Sequence, residues 1–388
     1  MNWAERVSPA VRAIPPSGIR RFFDIVAEME GVVSLGVGEP DFVTPWHIRD
    51  SCVDSLHKGY TSYTSNYGLL ELREEIARKM YNDYNLTYNP RKEVLITVGV
   101  SEALDLAMRT ILNPGDEVLI PEPCYVSYKA CVLLTGGIPV PVPTNIENEF
   151  RVTADQLNKL ITPRTKALIL GYPNNPTGAV MSGEQLAQIA LFAQKHDLIV
   201  VADEIYAKLT YEGVHTCFAS LPGMKDRTIL LDGFSKAYAM TGWRIGYAMS
   251  NPEFIAAMTK IHQYTMLCAP ITAQVAAIEA LRYGEPKVQE MLAQYNYRRR
   301  LMLEGLRNIG LSCFEPKGAF YIFPSIKETG LTSLAFAEEL LKAEKVALVP
   351  GDAFGISGEG FVRCSYATST DTLIEALERI GRFVTKYI

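Results

Sequence analysis

Lys236 follows directly on the apolar run TILLDGF (228–234) and opens the stretch SKAYAMTGWRIG (235–246), where Gly242, Trp243 and Arg244 follow shortly after. A primary amine placed where a strand becomes a loop is a nucleophile aimed at a carbonyl. Three further apolar runs also end in polar groups. KALILGYP (166–173) runs into NNPTG, LIVVADE (198–204) ends in Asp203 and Glu204 ahead of Ile205 and Tyr206, and VLITVG (94–99) runs into VSEA. Together these ends supply an amine, a carboxylate beside a phenol, an amide, and the free N–H groups of a starting helix. That helix start is an anion site, because its first turn has unpaired donors at the positive end of the dipole.

The elements that must hold these groups read as an alternation. VLITVG, EVLIPEP (117–123), KALILGYP, LIVVADE and TILLDGF are short and apolar at consecutive positions, the pattern of strands covered on both faces. Helical stretches are predicted between them over 101–112, 125–134 and 182–195, the last with Ser182 as N-cap. Strand and helix in alternation predict an α/β doubly wound sheet, whose ligands gather at the carboxyl ends of its strands. After about residue 280 the pattern becomes α+β with antiparallel strands, built from a charged helix, GAFYIFPSI, SLAFAEELLKAEK, ALVPGDAFG, GFVRCSYA and a final helix. PVPVPT reads as an edge strand or turn.

Composition removes several function classes. The 388 residues carry 38 Lys and Arg against 43 Asp and Glu, a net charge of −5 without basic clusters, which argues against nucleic acid as a partner. The sequence contains no apolar run long enough for a membrane helix and no apolar signal core near its start, so a cytoplasmic location without membrane contact is expected. Seven scattered cysteines without a C-x-x-C pair indicate neither a disulfide framework nor a metal site, and most read as small buried hydrophobes. GVGEPD lacks the third glycine of a dinucleotide fingerprint, which removes a nicotinamide dehydrogenase.

An amine, a carboxylate, a phenol and a phosphate cradle on one sheet edge point to pyridoxal 5'-phosphate, whose aldehyde takes a lysine and whose ring nitrogen takes an acid. GEPDF, SYTSNYGLLELRE, NNPTG, DEIY, SKAYAMTGWRIG, KGAFYIFP and VRCSYA occur in the order of the fold type I, class I/II aminotransferases, and over nearly the whole chain. The sequence resembles the branch holding the aromatic, aminotransferase A and thermophilic aspartate enzymes. The resemblance implies a large three-layer domain with a mainly parallel sheet (46–280) and a smaller α+β domain (281–388). Residues 1–45 would form an N-terminal arm and part of the small domain.

On that resemblance Lys236 is the Schiff-base lysine and proton shuttle, Asp203 pairs with the pyridinium nitrogen, and Tyr206 and Asn175 donate to the phenolic oxygen. Arg244, Ser235 and the backbone of Val100, Ser101 and Glu102 form the phosphate cup, and Tyr125 stacks on the ring. Tyr63 reaches the neighbouring site, which implies a homodimer. Arg363 binds the substrate α-carboxylate, Gly38 lets the backbone approach the substrate, and Asn175 lies beside it. Ile19, Phe22 and Phe23 in PPSGIRRFF line or close an apolar pocket, or else serve as dimer or core contacts.

Where the thermophilic aspartate enzymes carry a lysine for the distal carboxylate, this chain reads GVSEA, which favours an aromatic or broad-range donor with 2-oxoglutarate as acceptor. Aspartate specificity, or a carbon–sulfur β-lyase on the same fold, is the alternative. A transcription regulator with an aminotransferase-like sensor is disfavoured, since about 30 residues precede SLGVGEPDF and none forms a basic recognition helix.

Overall fold

The computed structural model describes residues 3–14 and 29–388, with a short helix at Pro9–Arg12 and a two-residue strand, β1, at Val33–Ser34. Ile19, Phe22 and Phe23 lie outside the described residues. The apolar runs become β2 (Val94–Thr97), β3 (Glu117–Glu122), β4 (Ile138–Pro143), β5 (Thr165–Leu170), β6 (Ile199–Asp203), β7 (Thr228–Gly233) and β8 (Gly246–Met249). They form one sheet in the order β2-β8-β7-β6-β5-β3-β4, parallel except for β8, which is antiparallel to both neighbours. The proline-rich β4 takes the edge, where missing N–H groups break no inner ladder.

Successive strand residues point to opposite faces, and both faces are covered. Val118, Ile120 and Val201 pack with Leu104 and Met108 of α3 and Ile255 and Met258 of α6. Leu119, Val200 and Ala202 pack on the other side with Leu186, Ile189 and Phe192 of α5. The longer helices in this part are α1 (Trp46–His57), α2 (Leu70–Tyr84), α3 (Gly99–Ile111), α4 (Ser127–Leu134), α5 (Gly183–Lys195), α6 (Pro252–Thr265) and α7 (Ile271–Tyr283), with a single turn at Ala154–Asn158. Ser182 caps α5 in a reciprocal box with Gln185, as its sequence predicts.

Beyond α7 come the long helix α8 (Glu285–Asn308), α9 (Ser333–Glu344) and α10 (Thr370–Val384), with β9 (Tyr321–Ile322), β10 (Val346–Ala347), β11 (Val349–Pro350) and β12 (Val362–Ser365). β12 lies between β11 and β9, antiparallel to both, while β1 pairs in parallel with β10 and so joins the two ends of the chain.

Two details differ from the sequence expectation. α3 begins at Gly99 rather than 101, because Gly99 takes a φ of +77° and turns the chain sharply out of β2. α4 begins at Ser127 rather than 125, which leaves Tyr125 and Val126 in the preceding turn. Most of the cysteines, Cys124, Cys131, Cys217 and Cys364, are buried as expected, and Cys52, Cys268 and Cys313 are half-buried. Among the described residues no helix is long and apolar enough to cross a membrane.

Candidate active site

The carboxyl ends of β2, β5, β6 and β7 face one edge of the large sheet and close, with the segment after β1 and with β12, around a cavity of 510 Å³. Its lining includes Lys236, Asp203, Tyr206, Asn175, Tyr125, Ser235, Arg244, Arg363, Val100, Ser101 and Gly38, all singled out in the sequence. They come from several separate bends of the chain, so the sheet edge is what gathers them.

Lys236 is a buried amine, and its Nζ donates to the carbonyl of Gly38 at 2.6 Å. Burial above all, with the nearby charge of Arg363, pulls its pKa down to about 8, against the opposing pull of Glu39. Asp203 ends β6. Burial pushes its pKa up to about 6, while the Tyr128 hydroxyl, which donates to Oδ2 at 2.8 Å, and the Ile205 N–H, which donates to Oδ1 at 3.2 Å, work the other way. The hydroxyls of Tyr206 and Tyr321 meet at 2.8 Å, and a Cβ at Gly38 would stand 2.5 Å from the Tyr321 oxygen, so only glycine leaves room there.

Arg363, on β12, is 3% exposed. Its Nη1 donates to Asn175 Oδ1 at 3.0 Å and its Nη2 to the carbonyl of Gly36 at 2.6 Å, while Nε is buried without a partner among the described residues. Its guanidinium lies over the rings of Tyr321 and Phe354 at 4.5 and 4.9 Å. Arg244, at a φ of +53°, leans over the start of α3, where a Cβ on Gly99 would come within 2.6 Å of its Nη2. A guanidinium over a helix N-terminus is a pocket for a doubly charged oxyanion.

Glu102 and Tyr63 do not line the cavity. The Glu102 carboxylate turns back, accepting the Val98 N–H at 2.5 Å and meeting His262 Nδ1 at 2.6 Å, which ties down the first turn of α3. Tyr63 is 82% exposed. Ile19 lies outside the described residues. The cavity also uses Tyr128, Tyr321, Thr241 and Gly36, to which sequence reasoning gave no role. Tyr128 stands three residues after Tyr125, and Tyr321 lies inside KGAFYIFP, so both were within reach of a closer reading.

The chain is similar over its whole length to proteins of one kind. A Bacillus subtilis protein named as an aminotransferase, YugH, is 57% identical over 98% of each chain. An aspartate aminotransferase of Pyrococcus abyssi is 48% identical over 97% of each. The solved structure of an aromatic aminotransferase from Pyrococcus horikoshii OT3 superposes with a TM-score of 0.91 at 45% identity, covering 95% of this chain and 99% of that one. A family model described as aminotransferase class I and II matches residues 30–380, and this chain, with its mainly parallel sheet and its gathered polar edge, belongs to that family and is an aminotransferase.

Proposed function

We propose that the chain is a cytoplasmic, homodimeric, pyridoxal-phosphate-dependent enzyme that moves the amino group of an L-amino acid, aromatic or broad-range, to a 2-oxo acid such as 2-oxoglutarate in two half-reactions. The observation that carries this reading is the buried amine of Lys236 in one cavity with the Asp203 carboxylate and the Arg363 guanidinium. The cofactor fits the residues present. The cavity has the size of a small-molecule site, Gly99 keeps open the space under Arg244, and the donors and acceptor are of the required kinds.

Pyridoxal phosphate, when bound, supplies an aldehyde carbon for the amino group and a ring that withdraws electrons from the Cα–H bond. Arg244, Ser235 and the N–H groups of Val100, Ser101 and Glu102 would hold the phosphate, and Tyr125 would pack on the ring. Asp203 would accept a hydrogen bond from the ring nitrogen, and Tyr206 and Asn175 would donate to the phenolic oxygen. Arg363 would pair with the substrate α-carboxylate through Nε and one Nη, giving its orphaned Nε a partner. That pairing would hold the substrate beside Lys236. With a pKa near 8 the Lys236 amine is partly neutral at physiological pH, so it can take the Cα proton and later give it up. Closure of the 281–388 region over 46–280 would exclude water.

Among the described residues the cations lining the cavity are Lys236, Arg244 and Arg363, each committed to one of these tasks. Ser101 offers a neutral hydroxyl, while the Thr241 hydroxyl is given to Glu39, whose own carboxylate lines the cavity and opposes a second carboxylate on the substrate. A neutral donor beside a resident carboxylate supports a broad donor range over strict aspartate specificity.

The test is the absorbance of protein loaded with pyridoxal phosphate, recorded while phenylalanine, tyrosine, aspartate or alanine is added without an acceptor. The spectrum should shift to that of pyridoxamine phosphate, most readily with the aromatic donors. Release of pyruvate and ammonia with an unchanged spectrum, or failure to hold the cofactor, would overturn the reading. Lys236→Ala should lower turnover by about a thousandfold while still binding cofactor.

A further inference from the structure

Asp203 ends a buried strand with one hydrogen bond on each oxygen, from the Tyr128 hydroxyl at 2.8 Å and from the Ile205 N–H at 3.2 Å. The backbone donor is present whatever the side chains are; the phenol is a choice of sequence. Tyr128 is buried, and burial together with the Asp203 charge raises its pKa well above that of an ordinary phenol, so its hydroxyl remains a donor at any working pH. Its ring also meets Tyr125 edge to face, with centroids 5.7 Å apart at 86°. A Cβ at Gly171, at the end of β5, would overlap the Tyr128 hydroxyl, so the strand leaves its side chain out where the phenol needs room.

We propose that Tyr128, with Gly171 as its clearance, is a positioning residue that fixes the rotation of the Asp203 carboxylate toward the ring nitrogen and braces the Tyr125 ring. The proposal rests on the functional reading above, in which Asp203 faces that nitrogen. The other groups around Asp203 do not replace the phenol. Glu204 and Asp232 disfavour its charge, Tyr206 bonds to Tyr321, and Lys236 is turned to Gly38. Without the Tyr128 hydroxyl, one carboxylate oxygen loses its protein donor and the group turns about Cβ–Cγ.

The test compares the binding of two ligands to cofactor-free protein: pyridoxamine phosphate, and its 1-deaza analogue with C–H in place of the ring nitrogen. Wild type should prefer the nitrogen-bearing ligand. Tyr128→Phe should weaken pyridoxamine phosphate about tenfold and the deaza analogue by less than about twofold, since only the first uses the oriented carboxylate. Gly171→Ala, which displaces the phenol without deleting it, should do the same and decides the matter if the first variant folds poorly. Equal weakening of both ligands, or of neither, would make Tyr128 a packing residue and overturn the proposal. A wild type without preference for the ring nitrogen would instead overturn the role given to Asp203, and this proposal with it.

Discussion

Arg363 reaches its place with Nη1 on Asn175 and Nη2 on Gly36, so its fork is held before any substrate arrives. A lysine there brings one point charge and no planar pair of donors. Arg363→Lys should therefore raise KM for both amino acid and oxo acid by about ten- to a hundredfold, with a smaller effect on kcat, in steady-state assays. The lowered pKa of Lys236 makes a separate prediction. Attack on an aldehyde needs the neutral amine, so the rate at which cofactor-free protein captures pyridoxal phosphate should rise with pH and level off above about 8. The same group binds fewer protons folded than unfolded between about 8 and 10.5, so it makes cofactor-free protein more stable as pH rises through that window, measurable by denaturant titration. Lys236, Asp203 and Asn175 were legible because an amine, an acid and an amide stand out at strand ends, whereas Arg244 and Arg363 were picked out only by the resemblance of their motifs. Tyr128 was not, since a tyrosine in the first turn of a helix has the same appearance whether its hydroxyl meets Asp203 or merely fills space.

Elements set those residues in place through their first turns. The one at α3 combines Gly99 at a φ of +77° with the Glu102 carboxylate on the Val98 N–H. Gly99→Ala places a Cβ against the Arg244 guanidinium and strains the backbone, so cofactor affinity should fall at least tenfold alongside about 1–2 kcal/mol of stability, read by ligand titration and denaturant unfolding. Ser182→Ala is the contrasting case. It removes the cap of α5, far from the cavity lining, and should cost about 1 kcal/mol in unfolding with kcat/KM unchanged. The runs 94–99, 117–123 and 228–234 were legible as strands because burial on both faces demands unbroken apolar sequence. The starts of α3 and α4 were not, because a glycine and a Tyr-Val pair decide them through backbone angles rather than through periodicity. Of the two-residue strands, β9 and β11 fall inside GAFYIFPSI and ALVPGDAFG, which read as antiparallel strands, whereas β1 and β10 leave too little pattern to read and appear only once paired with each other.

At the scale of the molecule, apolar side chains face outward where the α1–α2 connection meets the end of α6. Tyr63, Tyr264 and Met266 are exposed on either side of the bond from Asn66 Nδ2 to the carbonyl of Leu267. Large exposed aromatics joined in this way fit a subunit contact. Sedimentation should give twice the 43.1 kDa of one chain, and Tyr63→Ala should weaken cofactor binding at protein concentrations where the mass is unchanged. The alternating layers of the large sheet could be read from sequence pattern, whereas the union of the two chain ends was expected only on the resemblance, for no local pattern announces a partner so distant. That union has a consequence for how the protein is made. Val33 pairs with Val346, so the earlier strand must wait for one made long after it. At roughly 5–20 residues per second the delay is on the order of tens of seconds, and before it ends the seven-stranded sheet, complete by Met249, has all its strands. The sheet edge that carries Lys236 is thus made before the strand that brings Arg363 to it.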